Sequence, residues 1–127
     1  MQILIADDSE LVRHKLAMLI AKIPGIELVA EASNVDQALE SIDRLQPDLV
    51  IVDLHMPGSG LRLIDTVGAR TPHPTMLVLT NHPYPQYRAR CLKAGAEYFF
   101  DKATEFDGVV RVLTDMAQAS IGSERSL

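Results

Sequence analysis

Three short runs, Ile3-Leu4-Ile5-Ala6, Leu49-Val50-Ile51-Val52 and Met76-Leu77-Val78-Leu79, are apolar at every position and bounded by polar residues. A strand wetted on one side alternates apolar with polar; a strand without polar positions needs cover on both faces, the condition of a parallel sheet between helices. Ile26-Glu27-Leu28-Val29-Ala30-Glu31 does alternate, and its two glutamates suit a sheet edge. Tyr98-Phe99-Phe100 predicts a short fifth strand at the other edge. Between these segments the apolar residues fall at helical spacing. Val12, Leu16, Leu19, Ile20 and Ile23 share one face until Pro24-Gly25, and Val35, Ala38, Leu39, Ile42 and Leu45 share another from an Asn34 cap to Pro47. Leu61, Ile64 and Val67 mark a third helix ending near Gly68. Pro85 opens a fourth, closed by Gly95, and Phe106, Val109, Val110, Leu113 and Met116 form a fifth, with Thr104 and Asp107 spaced like a capping box.

Strands alternating with helices imply right-handed crossovers and a three-layer α/β sandwich with a parallel five-stranded sheet. The flavodoxin-like strand order 2-1-3-4-5 places the charged second strand at an edge, as its sequence requires. The 127 residues suffice for one domain, expected over residues 1–119, with a polar C-terminal tail at 120–127 that lacks a helical period. Nothing after residue 119 is long enough to fold into an output domain, which leaves a stand-alone module or a piece of a longer protein. A net charge of −5 without a basic run argues against direct nucleic-acid or anionic-membrane binding, and no apolar run reaches a membrane span. The single cysteine, Cys91, excludes an internal disulfide framework. The first residues meet carboxylates too early for a signal peptide, so the expected location is cytoplasmic.

In sheets of this order, ligands bind beyond the C-terminal strand ends, where the order reverses. The first strand exits into Asp7-Asp8, the third into Asp53, the fourth into Thr80, and the fifth runs through Asp101 to Lys102. Carboxylates meeting at about 5 Å repel by about 3 kcal/mol per pair at an effective dielectric of about 20. A fold tolerates that where a divalent cation and a lysine share the site, and oxygen-only ligands suit Mg²⁺ or Mn²⁺.

Asp7-Asp8, the Asp53-Leu54-His55-Met56-Pro57-Gly58 segment, Thr80, and Lys93-Ala94-Gly95-Ala96 leading to Lys102 together resemble a response-regulator receiver domain of the chemotaxis type, over residues 1 to about 118. The resemblance implies a two-component signalling switch. Asp53 would accept a phosphoryl group from a phosphohistidine on a sensor histidine kinase or phosphotransfer protein. Asp8 would bind Mg²⁺ directly and Asp7 largely through water, with Asp53 and the backbone carbonyl of His55 completing the protein ligands. Lys102 would reach a phosphoryl oxygen, and the Thr80 hydroxyl would hydrogen-bond the product. The aromatic three residues before the lysine, Phe99, would then swing inward and remodel the face of the fourth helix, fifth strand and fifth helix. That face would meet a downstream target, an output domain outside this chain, or a second copy in a homodimer. Slow autodephosphorylation would reset the state, without enzymatic turnover of a separate substrate.

Three positions depart from the family pattern. Phe99 lacks the hydroxyl of the more usual tyrosine, which leaves Tyr98 or a non-aromatic readout as the substitute reporter. Asn81 is larger than the small residue expected after Thr80, and Ala103 replaces the proline that commonly follows the lysine. Three other readings compete. An aspartyl-nucleophile phosphohydrolase would put its nucleophile after the first strand, with a second Asp two positions on rather than adjacent. A flavodoxin-like cofactor carrier would need a Ser/Thr/Gly-rich phosphate loop there. A receiver-shaped module that only binds proteins would never be phosphorylated. Of the remaining residues, Asp8 or Ser9 suits a helix cap, and His55 and His82 border the pocket without a third zinc ligand. His14 and His73 read as surface residues, Cys91 as a core thiol, and Arg88, Arg90 and Lys93 as a solvated face.

Overall fold

The computed structural model describes residues 1–125, with side chains placed through residue 119. Five strands and five helices alternate: β1 (Gln2–Ala6), α1 (Glu10–Ala21), β2 (Glu27–Ala32), α2 (Val35–Leu45), β3 (Leu49–Val52), α3 (Gly60–Gly68), β4 (Thr75–Thr80), α4 (Pro85–Lys93), β5 (Tyr98–Asp101) and α5 (Phe106–Arg125). All four strand pairings are parallel, in the order β2-β1-β3-β4-β5. The expected architecture is present, with the glutamate-bearing β2 at one edge and β5 at the other.

The continuous apolar runs are explained by strand parity. Leu4, Ala6, Val50, Val52, Met76, Val78 and Phe99 pack against α2, α3 and α4. Their neighbours Ile3, Ile5, Leu49, Ile51, Leu77 and Leu79 pack against α1 and α5, through Leu16, Ile20, Val109 and Leu113. Each large side chain so covered contributes about 1.5–3 kcal/mol, so a polar residue on either face of β1, β3 or β4 would forfeit that contribution.

The helix starts follow their local chemistry. Ser9 caps α1 by accepting from the Val12 N–H at 3.2 Å, and Asn34 caps α2 by accepting from the Gln37 N–H at 2.9 Å. The entry to α5 corrects the sequence reading. Instead of capping through Asp107, the Thr104 hydroxyl donates to Asp101 at 3.2 Å. Asp101 also accepts from the Ala103 N–H, while Glu105 reaches back to the Asp101 N–H. The carboxylate at the end of β5 thus accepts from both the Ala103 N–H and the Thr104 hydroxyl of the turn. At the C-terminus α5 continues to Arg125, past residue 119 where the sequence shows no further helical period; no proline interrupts it, and Gly108 and Gly122 are a cost rather than a stop. Residues 126–127 of the expected tail lie outside the described residues. Among the described residues, no helix is long and apolar enough to cross a membrane.

Candidate functional site at the C-terminal strand ends

Strand register brings the polar exits together. Ala6 pairs with Val52, so the next residues, Asp7 and Asp53, leave adjacent strands side by side, and the Asp53 N–H donates to the Ala6 carbonyl at 2.9 Å. Thr80 pairs with Asp101, and the Lys102 N–H donates to the Thr80 carbonyl at 2.8 Å. Lys102 Nζ thereby reaches Asp7 Oδ2 at 2.6 Å and Asp53 Oδ2 at 3.5 Å, with all three side chains 7 % exposed or less. Asp8 is exposed, yet Asp7, Asp8 and Asp53 each present an oxygen within 4.8 Å of the others. At that separation two full charges repel by about 3.5 kcal/mol at an effective dielectric of about 20. One lysine cannot balance three carboxylates, and an all-oxygen donor set with an open, solvent-facing side fits a hard divalent cation.

The individual carboxylates differ. Asp7 is held at every polar atom: its N–H donates to the Ala32 carbonyl, Oδ1 accepts from the Ser9 N–H at 2.8 Å, Oδ2 meets Lys102, and its carbonyl accepts from Arg13 Nη1 at 2.7 Å. Asp53 is held more loosely. Its Oδ1 accepts from the His55 N–H at 3.3 Å, and burial, helped by the charges of Asp7 and Asp8, raises its carboxyl above the ordinary value of 3.8. Lys102 and the His55 N–H pull the other way without cancelling that rise. A carboxylate that keeps more of its basicity, beside a fixed cation, is suited to attack an electrophile.

The loop after Asp53 is shaped by close approach. A Cβ on Gly60 would collide with the Asp53 carbonyl oxygen, and Gly58 sits at φ +91° against Val35. Only glycine lets α3 start this close beneath the acidic pocket. On the rim, the His55 and His82 rings lie 4.0 Å apart between centroids, with Tyr87 edge-on to His55 at 5.9 Å. The His82 N–H donates to Thr80 Oγ1 at 3.0 Å, so both histidines border the pocket as expected. Asp7, Asp8 and Asp53 are the only group of three or more metal-capable side chains among the described residues, and neither imidazole joins it.

Thr80 is fully buried and Phe99 is 6 % exposed in the core beneath α4. Arg88 lies above the Phe99 ring at 6.0 Å and donates to its carbonyl at 3.4 Å. Parity sends Tyr98 to the face opposite Phe99, stacked on Phe100 at 6.3 Å. Asn81 is exposed. The peptide between Lys102 and Ala103 is trans, the cis bond of the described chain being Thr71–Pro72. Cys91 is fully buried, with its thiol pushed up to about 11 by desolvation. Arg90 pairs with Asp65 of α3 at 2.9 Å rather than standing free, and His73 is half-buried, its Nδ1 at 2.7 Å from the Pro74 carbonyl. The sequence reading missed Arg13: it saw α1 as an apolar face, and nothing in the local pattern shows which backbone atom a guanidinium will reach.

Comparison with known proteins agrees with this fold. Residues 3–114 match the family described as the response regulator receiver domain, and the chain belongs to that family. It is 42 % identical over 102 residues to a protein-glutamate methylesterase/protein-glutamine glutaminase of Anaeromyxobacter dehalogenans, covering 80 % of this chain and 30 % of that protein. It is 32 % identical over 116 residues to the nitrate/nitrite response regulator NarL of Escherichia coli, covering 91 % of this chain and 54 % of NarL. Among solved structures it resembles the signal receiver domain of the putative response regulator NarL from Mycobacterium tuberculosis, with a TM-score of 0.82, 26 % identity, and coverage of 92 % of this chain and 95 % of that one. The chain spans between 26 % and 56 % of the length of curated relatives of this kind. It is thus a receiver domain of two-component response regulators.

Proposed function

We propose that this receiver accepts a phosphoryl group on Asp53 from a phosphohistidine, on a sensor histidine kinase or phosphotransfer protein in the cytoplasm. A carboxylate oxygen of Asp53 attacks phosphorus in line, the P–N bond breaks, and the imidazole leaves with its electron pair and takes up a proton. Asp8 and Asp53, Asp7 largely through water, and the His55 carbonyl would hold Mg²⁺ or Mn²⁺. That ion would offset the charge of the phosphoryl oxygens during transfer. Lys102, now shared between Asp7 and Asp53, takes a phosphoryl oxygen as its partner. Thr80, whose Oγ1 accepts from the His82 N–H and whose own hydrogen is free to donate, bonds the product. As Thr80 and its loop move toward the new anion, Phe99 shifts with them, and the face formed by α4, β5 and α5 changes shape. That face then meets a downstream protein, an output domain outside this chain, or a second copy.

The observation that carries this reading is three carboxylates within 4.8 Å around one lysine at 2.6 and 3.5 Å, at the strand ends where such sheets bind ligands. The phosphohydrolase alternative is disfavoured because both oxygens of Asp7 are committed, to Lys102 and to the Ser9 N–H. Incubation with acetyl phosphate and Mg²⁺ should add the mass of one phosphoryl group, and Asp53→Asn or EDTA should abolish the gain. A wild-type protein unmodified by acetyl phosphate and by a phosphohistidine donor would leave a module that only binds proteins. Phosphomonoester turnover that survives Asp53→Asn but not Asp7→Ala would point to the hydrolase.

A further inference from the structure

We propose that Arg13 is a positioning residue for the divalent-cation site, acting on Asp8 without touching it; this rests on the reading that Asp7, Asp8 and Asp53 hold such a cation. The first carboxylate, Asp7, is restrained through its side chain by Lys102 and the Ser9 N–H. The second, Asp8, is exposed, and its orientation depends on the peptide plane that joins it to Asp7. Arg13 holds that plane. Its Nη1 donates to the Asp7 carbonyl at 2.7 Å, while its Nε meets Glu31 Oε1 of β2 at 3.2 Å. The arginine side chain is only 17 % exposed although its head is charged. The preceding peptide is tied to the same strand, the Asp7 N–H donating to the Ala32 carbonyl of β2 at 2.9 Å.

The brace therefore runs from the edge strand β2, through a planar guanidinium at the end of the first turn of α1, to the backbone between the two acidic residues. A guanidinium suits this task because its donors diverge in one rigid plane, so one group can serve a carboxylate and a carbonyl at once. A lysine in its place has a single mobile head. Groups that fix the orientation of metal ligands from behind commonly govern affinity by about 10–100-fold.

Charge and position make opposite predictions, which renders the inference testable. As a mere cation near an acidic pocket, Arg13 would repel a divalent ion, so Arg13→Met should tighten binding and Arg13→Lys should leave it unchanged. As a brace, its loss should weaken binding in both variants. Calorimetric titration of the intact chain with MgCl₂ is expected to show about a 10-fold weaker dissociation constant for Arg13→Met and a several-fold weaker one for Arg13→Lys. Far-UV circular dichroism should be unchanged in both. In acetyl-phosphate reactions the Mg²⁺ concentration for half-maximal rate should rise, while the rate at saturating Mg²⁺ stays within about twofold of wild type, because a positioning group acts on occupancy rather than on the transfer itself. Unchanged or tighter Mg²⁺ binding in Arg13→Lys overturns the proposal, even if Arg13→Met does not fold. Wild-type protein that binds no Mg²⁺ overturns the cation reading itself, a result distinguishable because it is seen before any substitution.

Discussion

Replacing Lys102 by methionine keeps the length and apolar stem of the side chain and deletes its charge. Lys102 Nζ lies 2.6 Å from Asp7 and 3.5 Å from Asp53, and the lysine side chain is 7 % exposed. Removing one partner of such a buried arrangement leaves uncompensated charge and costs about 3–5 kcal/mol. For a domain of this size that corresponds to a fall in Tm of about 10–20 °C. The loss should be largest in EDTA at neutral pH. It should shrink as the pH falls, because Asp53 already has a raised carboxyl and loses with Lys102 one of the two influences that lower it, so it protonates more readily. It should also shrink in saturating Mg²⁺, because a divalent ion supplies the missing positive charge and no longer competes with an ammonium group. The Mg²⁺-induced rise in Tm should therefore be greater in Lys102→Met than in wild type, as read by thermal denaturation followed by circular dichroism in EDTA and in Mg²⁺. A loss below about 1 kcal/mol in EDTA, the range of an exposed ion pair, would refute the reasoning. So would a smaller Mg²⁺ response in the variant, since both conflict with a lysine that balances buried carboxylates.

Two further expectations concern the same pocket. The raised carboxyl of Asp53 means that the folded protein binds its proton more tightly than the unfolded chain, so stability is fullest below the unfolded value and falls as the pH rises through the folded one. In Asp53→Asn, urea denaturation in EDTA should lack that decline and give the higher stability at pH 7; an unchanged pH slope would show that Asp53 is not desolvated. Gly60→Ala places a methyl group against the Asp53 carbonyl and the Leu54 backbone. It should cost about 1–3 kcal/mol and slow phosphoryl transfer by displacing the acceptor loop, so a variant equal to wild type in both measurements would contradict the close approach.

Much of this molecule is readable from local pattern because the patterns answer to local physics. The runs at Ile3, Leu49 and Met76 lack polar positions, and a strand with nothing to show water must be covered on both faces. The charges of Glu27 and Glu31 suit the edge where β2 lies, although a register shift beside Val29 sends Leu28 and Ala30 to opposite cores and breaks the alternation the sequence suggests. Parallel topology then sends every strand end to one side, so Asp7, Asp8, Asp53, Thr80 and Lys102 are legible as a group before any coordinate is known. Composition and periodicity leave the finer arrangement open. Whether Asp7 or Asp53 takes the shorter contact to Lys102, and which backbone atom Arg13 reaches, depends on register across β1, β2, β3 and β5.

The turn before α5 shows the same division. Thr104 and Asp107 have the spacing of a cap, yet Asp101, at the end of β5, takes the threonine hydroxyl. Tyr98 and Phe99 look interchangeable as a pair of neighbouring aromatics, and the sheet separates them onto opposite cores. Side-chain chemistry and spacing determined the class of fold and the ingredients of the site. Partner choice among those ingredients was decided in three dimensions, because hydrogen bonds and ion pairs depend on ångström-scale distances that only the packed helices and the strand register set.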